Sequence, residues 1–133
     1  MKWNNKYNYP KSTRSIIHGS RHYAVNQESL PSVTTILKAT ESEEKKAKLA
    51  EWKERVGFKQ AEIIKQEASS RGSSMHDYLE KFLLGKLNMD LLGDNTREKM
   101  MADQIIENGL RNKLEEIWGC EATLYYPGKY AGA

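Results

Sequence analysis

Residues 71–83, RGSSMHDYLEKFL, place one histidine on a helical pattern, four residues after a glycine and four before a glutamate. Successive helical residues turn by about 100°. Met75, Tyr78, Leu79, Phe82 and Leu83 then form one apolar stripe, as a core-facing helix requires. His76 falls at the edge of that stripe, with Glu80 one turn further on and slightly outward. An imidazole at a core boundary is oriented by packing and still reaches solvent, which is what a metal ligand needs. Glu80 is placed either to accept a hydrogen bond from that ring or to join a salt bridge on the helix surface. A half-buried helical histidine without chemistry is the plainer alternative. Gly72 carries no side chain, so a second backbone or a substrate strand can come close. Arg71 beside it suits a phosphate contact, or is simply solvated.

The elements that must hold this helix follow from periodicity and punctuation. Residues 14–17 and 21–25 read as two short strands around His18-Gly19-Ser20, with His18 and His22 as surface residues flanking the turn. Leu30-Pro31-Ser32 opens a short helix whose apolar face holds Val33, Ile36 and Leu37. Thr40 and Glu43 match a capping box for a helix over residues 41–56. That helix has Leu49, Trp52 and Val56 on one side, and Glu41–Lys45 and Glu44–Lys48 pairs on a solvated face. Gly57 breaks the pattern, and residues 58–84 are helical, either continuous with a local perturbation at Gly72 or in two pieces. Residues 85–94 read as a loop, and Asp94 or Asn95 caps a long helix over residues 96–118 that buries Met101, Ile105, Leu110, Leu114 and Ile117. Gly119 ends it. Residues 121–126 alternate as a strand carrying Glu121 and following Cys120, and Pro127-Gly128 turns the chain back into residues 129–133.

Composition bounds the function. At 133 residues, 29% of them charged and with a mean hydropathy of -0.77, the chain is one polar domain with no apolar run near the ~20 residues of a membrane span. The start, MKWNNKYNYPKS, lacks the apolar core of a signal peptide, so the expectation is a cytoplasmic, unsecreted protein of a bacterial or phage-infected cell. A single cysteine, Cys120, excludes an internal disulfide and suits a buried strand position. Net charge is only +3, but residues 1–27 contain Lys2, Lys6, Lys11, Arg14 and Arg21 and no acid. Trp3, Tyr7, Tyr9 and Tyr23 lie among those cations. Basic residues interleaved with aromatics suit a single nucleic-acid strand, because cations pair with phosphates while rings stack on bases. A solvated terminal arm is the alternative. The domain division expected is residues 1–29 as basic arm and short hairpin, and residues 30–133 as the main body.

The stretch LPSVTTILKATESEEKKAKLAEWKERVGF, then RGSSMHDYLEKFL, then GCEATLYYPGKYAGA, resembles the mitochondrial genome maintenance exonucleases and their phage relatives. These are RecB-like members of the PD-(D/E)xK nuclease superfamily. The resemblance runs from about Tyr23 onward, and rests on the order of its motifs. It implies an α/β, restriction-endonuclease-like fold, of which residues 30–133 would be the N-terminal helical portion and the first strands of a mixed sheet. It implies a Mg2+- or Mn2+-dependent DNA exonuclease, with His76 helping to hold the metal and Glu121 a second, catalytic candidate. DNA contacts would fall on Arg71, Lys6, Lys11, Arg14 and Arg21. Family members continue from a segment like Tyr130-Ala131-Gly132 into a metal-binding aspartate and then an acidic-x-Lys strand, neither of which is among these residues. The expectation is therefore an N-terminal portion that is inactive alone and completed by a second polypeptide, with DNA as substrate and no membrane. A non-catalytic nucleic-acid-binding or interaction module is the alternative.

Overall fold

The computed structural model describes residues 1–86 and 96–133. The architecture is mixed α/β, with helices and several small sheets. It divides into two compact units. One comprises Met1–Asn5 and Trp52–Cys120, the other Lys6–Glu51 and Glu121–Ala133. The expected division at residue 29 does not coincide with this one.

The second unit is built on an antiparallel meander of β2 (Ser12–Ile17), β3 (Ser20–Val25) and β4 (Glu28–Pro31). Both of its turns have two residues with positive φ: His18 at 50° and Gly19 at 77°, then Asn26 at 48° and Gln27 at 68°. Such turns match the right-handed twist of the strands they join. The first was legible because glycine adopts this region freely. The second uses Gln27, which does not advertise it, so β4 is a strand that the sequence pattern does not announce, while the helix expected to start at Pro31 or Ser32 does start there. Ser32 then caps α1 (Val33–Ala39), its hydroxyl accepting from the Thr35 N–H at 3.0 Å. The hairpin of β6 (Leu124–Tyr126) and β7 (Tyr130–Gly132) follows the expected turn, with Gly128 at φ 73°.

Cross-strand register sets the core. Tyr23 lies opposite Leu30 and Val25 opposite Glu28, so one face of the meander gathers Tyr23, Val25 and Leu30. Ala131 joins that cluster, and Tyr125 packs against it. Ser32 and Ala131 form a parallel bridge. One edge of β7 is therefore partly closed. Polar ties finish the assembly: Ser12 and Thr123 share a hydroxyl hydrogen bond of 2.6 Å, and the Asn26 amide donates to the Tyr125 hydroxyl at 2.6 Å.

The capping box expected at Thr40 is not formed. Thr40 instead closes α1, its hydroxyl donating to the Ile36 carbonyl at 2.9 Å, and the Ser42 hydroxyl accepts from the Lys45 N–H. Helix α2 (Glu43–Val56) carries the expected Glu44–Lys48 pair at 2.9 Å, and its Lys45 makes the expected pair with Glu41, which precedes the helix, at 3.7 Å. The boundary between the units falls within α2, after Glu51. Its Trp52 is half-buried.

In the first unit, α3 (Phe58–Leu83) is one continuous helix packed against α4 (Arg97–Ile105). Thr96 caps α4 by accepting from the Lys99 N–H. The expected loop from residue 87 on and the Asp94 or Asn95 cap lie outside the described residues. The long helix expected to reach Trp118 stops early. One π-turn, Ile106–Leu110, ends it, and Asn112 takes φ 62°. Asn108 and Gly109 are poor helix interiors, so the apolar positions that follow serve a strand. That strand is β5 (Glu116–Ile117), which pairs in parallel with β1 (Lys2–Trp3). The Trp3 indole also donates to the Leu83 carbonyl at 3.0 Å. The first residues are thus part of the unit's structure, and a free arm is not what the chain forms there.

Candidate functional site

Helix α3 carries the residues singled out for chemistry. His76 is exposed and makes no hydrogen bond or ion pair among the described residues. Glu80, half-buried, stands one turn further along, offset by about 40°. No hydrogen bond joins the two. Gly72 lies one turn before His76, and the space beside its backbone is open: a side chain built there would meet nothing within 4 Å. Arg71 is half-buried next to it. Gly72, His76 and Glu80 therefore form a shallow line along one side of the helix, with an unengaged imidazole at its centre.

The stripe beside this line is fixed by packing and by one polar network. Met75, Tyr78, Leu79, Phe82 and Leu83 are all half-buried, as the periodicity requires. The Tyr78 hydroxyl donates to Asp103 Oδ1 at 3.1 Å, and Lys99 Nζ donates to Asp103 Oδ2 at 2.8 Å. The Lys99 hydrogen bond, aided by Tyr78, holds the Asp103 carboxyl below its ordinary range. Burial, then the neighbouring carboxylate, pushes the Tyr78 hydroxyl up. The same carboxylate raises Lys99. This network cross-links α3 to α4 and sets the rotation of α3 that leaves His76 outward. The i, i+4 spacing of Lys99 and Asp103 was visible in the sequence; Tyr78 as third member was not, because the spacing within one helix says nothing about which residue of another helix it meets.

Glu121 is not on a strand. It sits in a bend before β6, exposed, with φ 51°. The strand begins three residues later, because a residue in the left-handed region cannot continue an extended ladder. Cys120 is likewise outside any strand, half-buried in the same bend. His76 belongs to the first unit and Glu121 to the second. Among the described residues, no group of three or more His, Cys, Asp or Glu side chains is arranged to hold a metal ion. His76 and Glu80 by themselves do not fit a Mg2+ or Mn2+ site, since a hard cation takes about six oxygen-rich ligands.

Of the cations expected to meet DNA, Arg71 belongs to the first unit, and Lys6, Lys11, Arg14 and Arg21 to the second. Lys6 lies over the Tyr7 ring at 5.4 Å, and Tyr7 and Tyr9 are tilted neighbours at 6.3 Å. Lys11, Arg14 and Arg21 are exposed and form no ion pair among the described residues. Strand register places Arg14 opposite Tyr23 and Arg21 opposite Ile16, on the face that turns inward further along. His18 is exposed in the turn, and the His22 ring hydrogen-bonds the Ser20 carbonyl. Sequence reasoning missed Lys38, which shares a groove with Arg21.

Comparison with family models, curated proteins and solved structures finds no significant match. No helix among the described residues is long and apolar enough to cross a membrane.

Proposed function

We propose that these residues form the N-terminal portion of a metal-dependent DNA exonuclease, with a restriction-endonuclease-like fold, that hydrolyses phosphodiesters on single strands or duplex ends. The observation that carries this reading is the line of α3: an exposed, unengaged His76 beside the open backbone of Gly72. Its residue order matches the G-x-x-x-H-x-x-x-E of the nuclease resemblance. By the resemblance, His76 would supply one ligand to Mg2+ or Mn2+, and Glu80 would orient its ring. The remaining oxygen ligands and the lysine would be the aspartate and the acidic-x-Lys strand that the resemblance implies. Glu121 is the second, catalytic candidate that the resemblance implies.

A second reading is a nucleic-acid-binding module without chemistry of its own. It is favoured by Lys11, Arg14, Arg21 and Lys38, four exposed cations of the second unit with no acidic partner among the described residues. NMR separates the two. Mn2+ added to the chain in complex with a polypeptide bearing the missing strand should broaden the His76 ring resonances before those of His18 and His22. Equal broadening of all three histidines favours the binding module.

A further inference from the structure

A groove of about 730 Å³ runs between α1 and the β2–β3 turn, within the second unit. Arg21 and Lys38 line it, with Thr34, Ser20 and the apolar Ile16. No carboxylate does. The backbone of Arg21 is fixed there, because its carbonyl accepts both the Ser32 N–H at 2.9 Å and the Thr35 hydroxyl at 2.9 Å. Those two donors belong to the cap and first turn of α1. Lys38 follows Thr34 and Thr35 by four and three residues, so it projects along the same side of the helix. Both cations thus line one groove, Arg21 from β3 and Lys38 from α1. Neither forms an ion pair or side-chain hydrogen bond among the described residues.

Two like charges facing a shared groove without a counter-charge repel one another, and an anion bound between them removes that repulsion. Ile16 is 67% exposed at the same wall, which offers an apolar surface to a sugar or base beside the charge. We infer that this groove binds the phosphodiester backbone of single-stranded nucleic acid, with Arg21 and Lys38 contacting successive phosphates and Ile16 against the intervening nucleoside. The volume suits a short segment of about two nucleotides, within the ~300–1,000 Å³ typical of ligand sites. This site requires no metal and is independent of the α3 line, so it stands or falls apart from the nuclease reading.

The test is binding of the full chain to a fluorescent oligothymidylate in EDTA, across a salt series. Each phosphate contact contributes about 0.7 to the salt slope of single-strand binding, so Arg21→Gln with Lys38→Gln should lower the slope by about 1.4. The control Lys45→Gln with Lys48→Gln removes two ion-paired cations of α2 and should leave it unchanged. Thr34→Glu, which puts a carboxylate into the groove while keeping both cations, should weaken binding at least tenfold. An unchanged slope in the first double variant, or an equal loss in the α2 control, overturns the assignment. So does equal competition by an acidic peptide, which would make the groove a site for carboxylate-rich protein segments.

Discussion

Asp103 is the residue on which the most specific stability expectation rests. Its carboxyl is held below the ordinary 3.8, first by the Lys99 hydrogen bond and then by Tyr78. A carboxylate depressed in the folded state stabilises the fold fully above its unfolded value. That contribution is lost as pH falls through the folded value. Glu116, depressed by hydrogen bonds from Trp118 and then Asn4, acts with the same sign. The urea midpoint should therefore fall on acidification from about pH 5 into the range below the ordinary carboxyl value. Asp103→Asn should lower stability at neutral pH by roughly 0.2–1 kcal/mol, because the pair is partly exposed, and should flatten but not abolish the acid dependence. An acid dependence identical to wild type would remove the network from the account. Glu121 gives a second residue-scale expectation. At φ 51° glycine is the easier residue, so Glu121→Gly should change stability by less than about 1 kcal/mol. If Glu121 is catalytic, the same variant should still abolish cleavage by the completed enzyme.

At the scale of elements, the first five residues hold the first unit together from outside. Trp3 Nε1 reaches the Leu83 carbonyl, and Lys2 N–H and Asn4 N–H donate to the Glu115 and Ile117 carbonyls at 3.0 Å each. Deleting residues 1–5 should expose Ile117 and the end of α3, lowering the melting temperature by several degrees, while Lys6→Ala should not. A deletion that melts like wild type would mean that the β1–β5 pairing carries no stability. Elements were legible where the local chemistry is self-contained. The α3 stripe, the His18-Gly19 and Pro127-Gly128 turns and the α2 charge pairs needed only their own neighbours in sequence. The failures share a cause. β4, β5 and the bend at Glu121 depend on partners distant in the chain, or on non-glycine residues in the left-handed region. Residues 96–118 have an apolar spacing that serves equally for a helix or, past Leu110, for a two-residue strand.

At the scale of the whole molecule, the two units carry two different proposed sites. The first presents His76 on a rigid helix; the second presents a basic groove. The α3 line was legible because a helix fixes relative positions from spacing alone. The groove was not, since Arg21 and Lys38 are seventeen residues apart and meet only through the α1 cap. The most direct test of the nuclease reading is digestion of end-labelled single-stranded DNA with Mg2+. The chain alone should release no product. Addition of a polypeptide carrying the aspartate and acidic-x-Lys strand should restore release, and His76→Ala should lower the restored rate by at least 100-fold. Robust digestion by the chain alone, abolished by His76→Ala, would contradict the account and place the whole catalytic set within these residues.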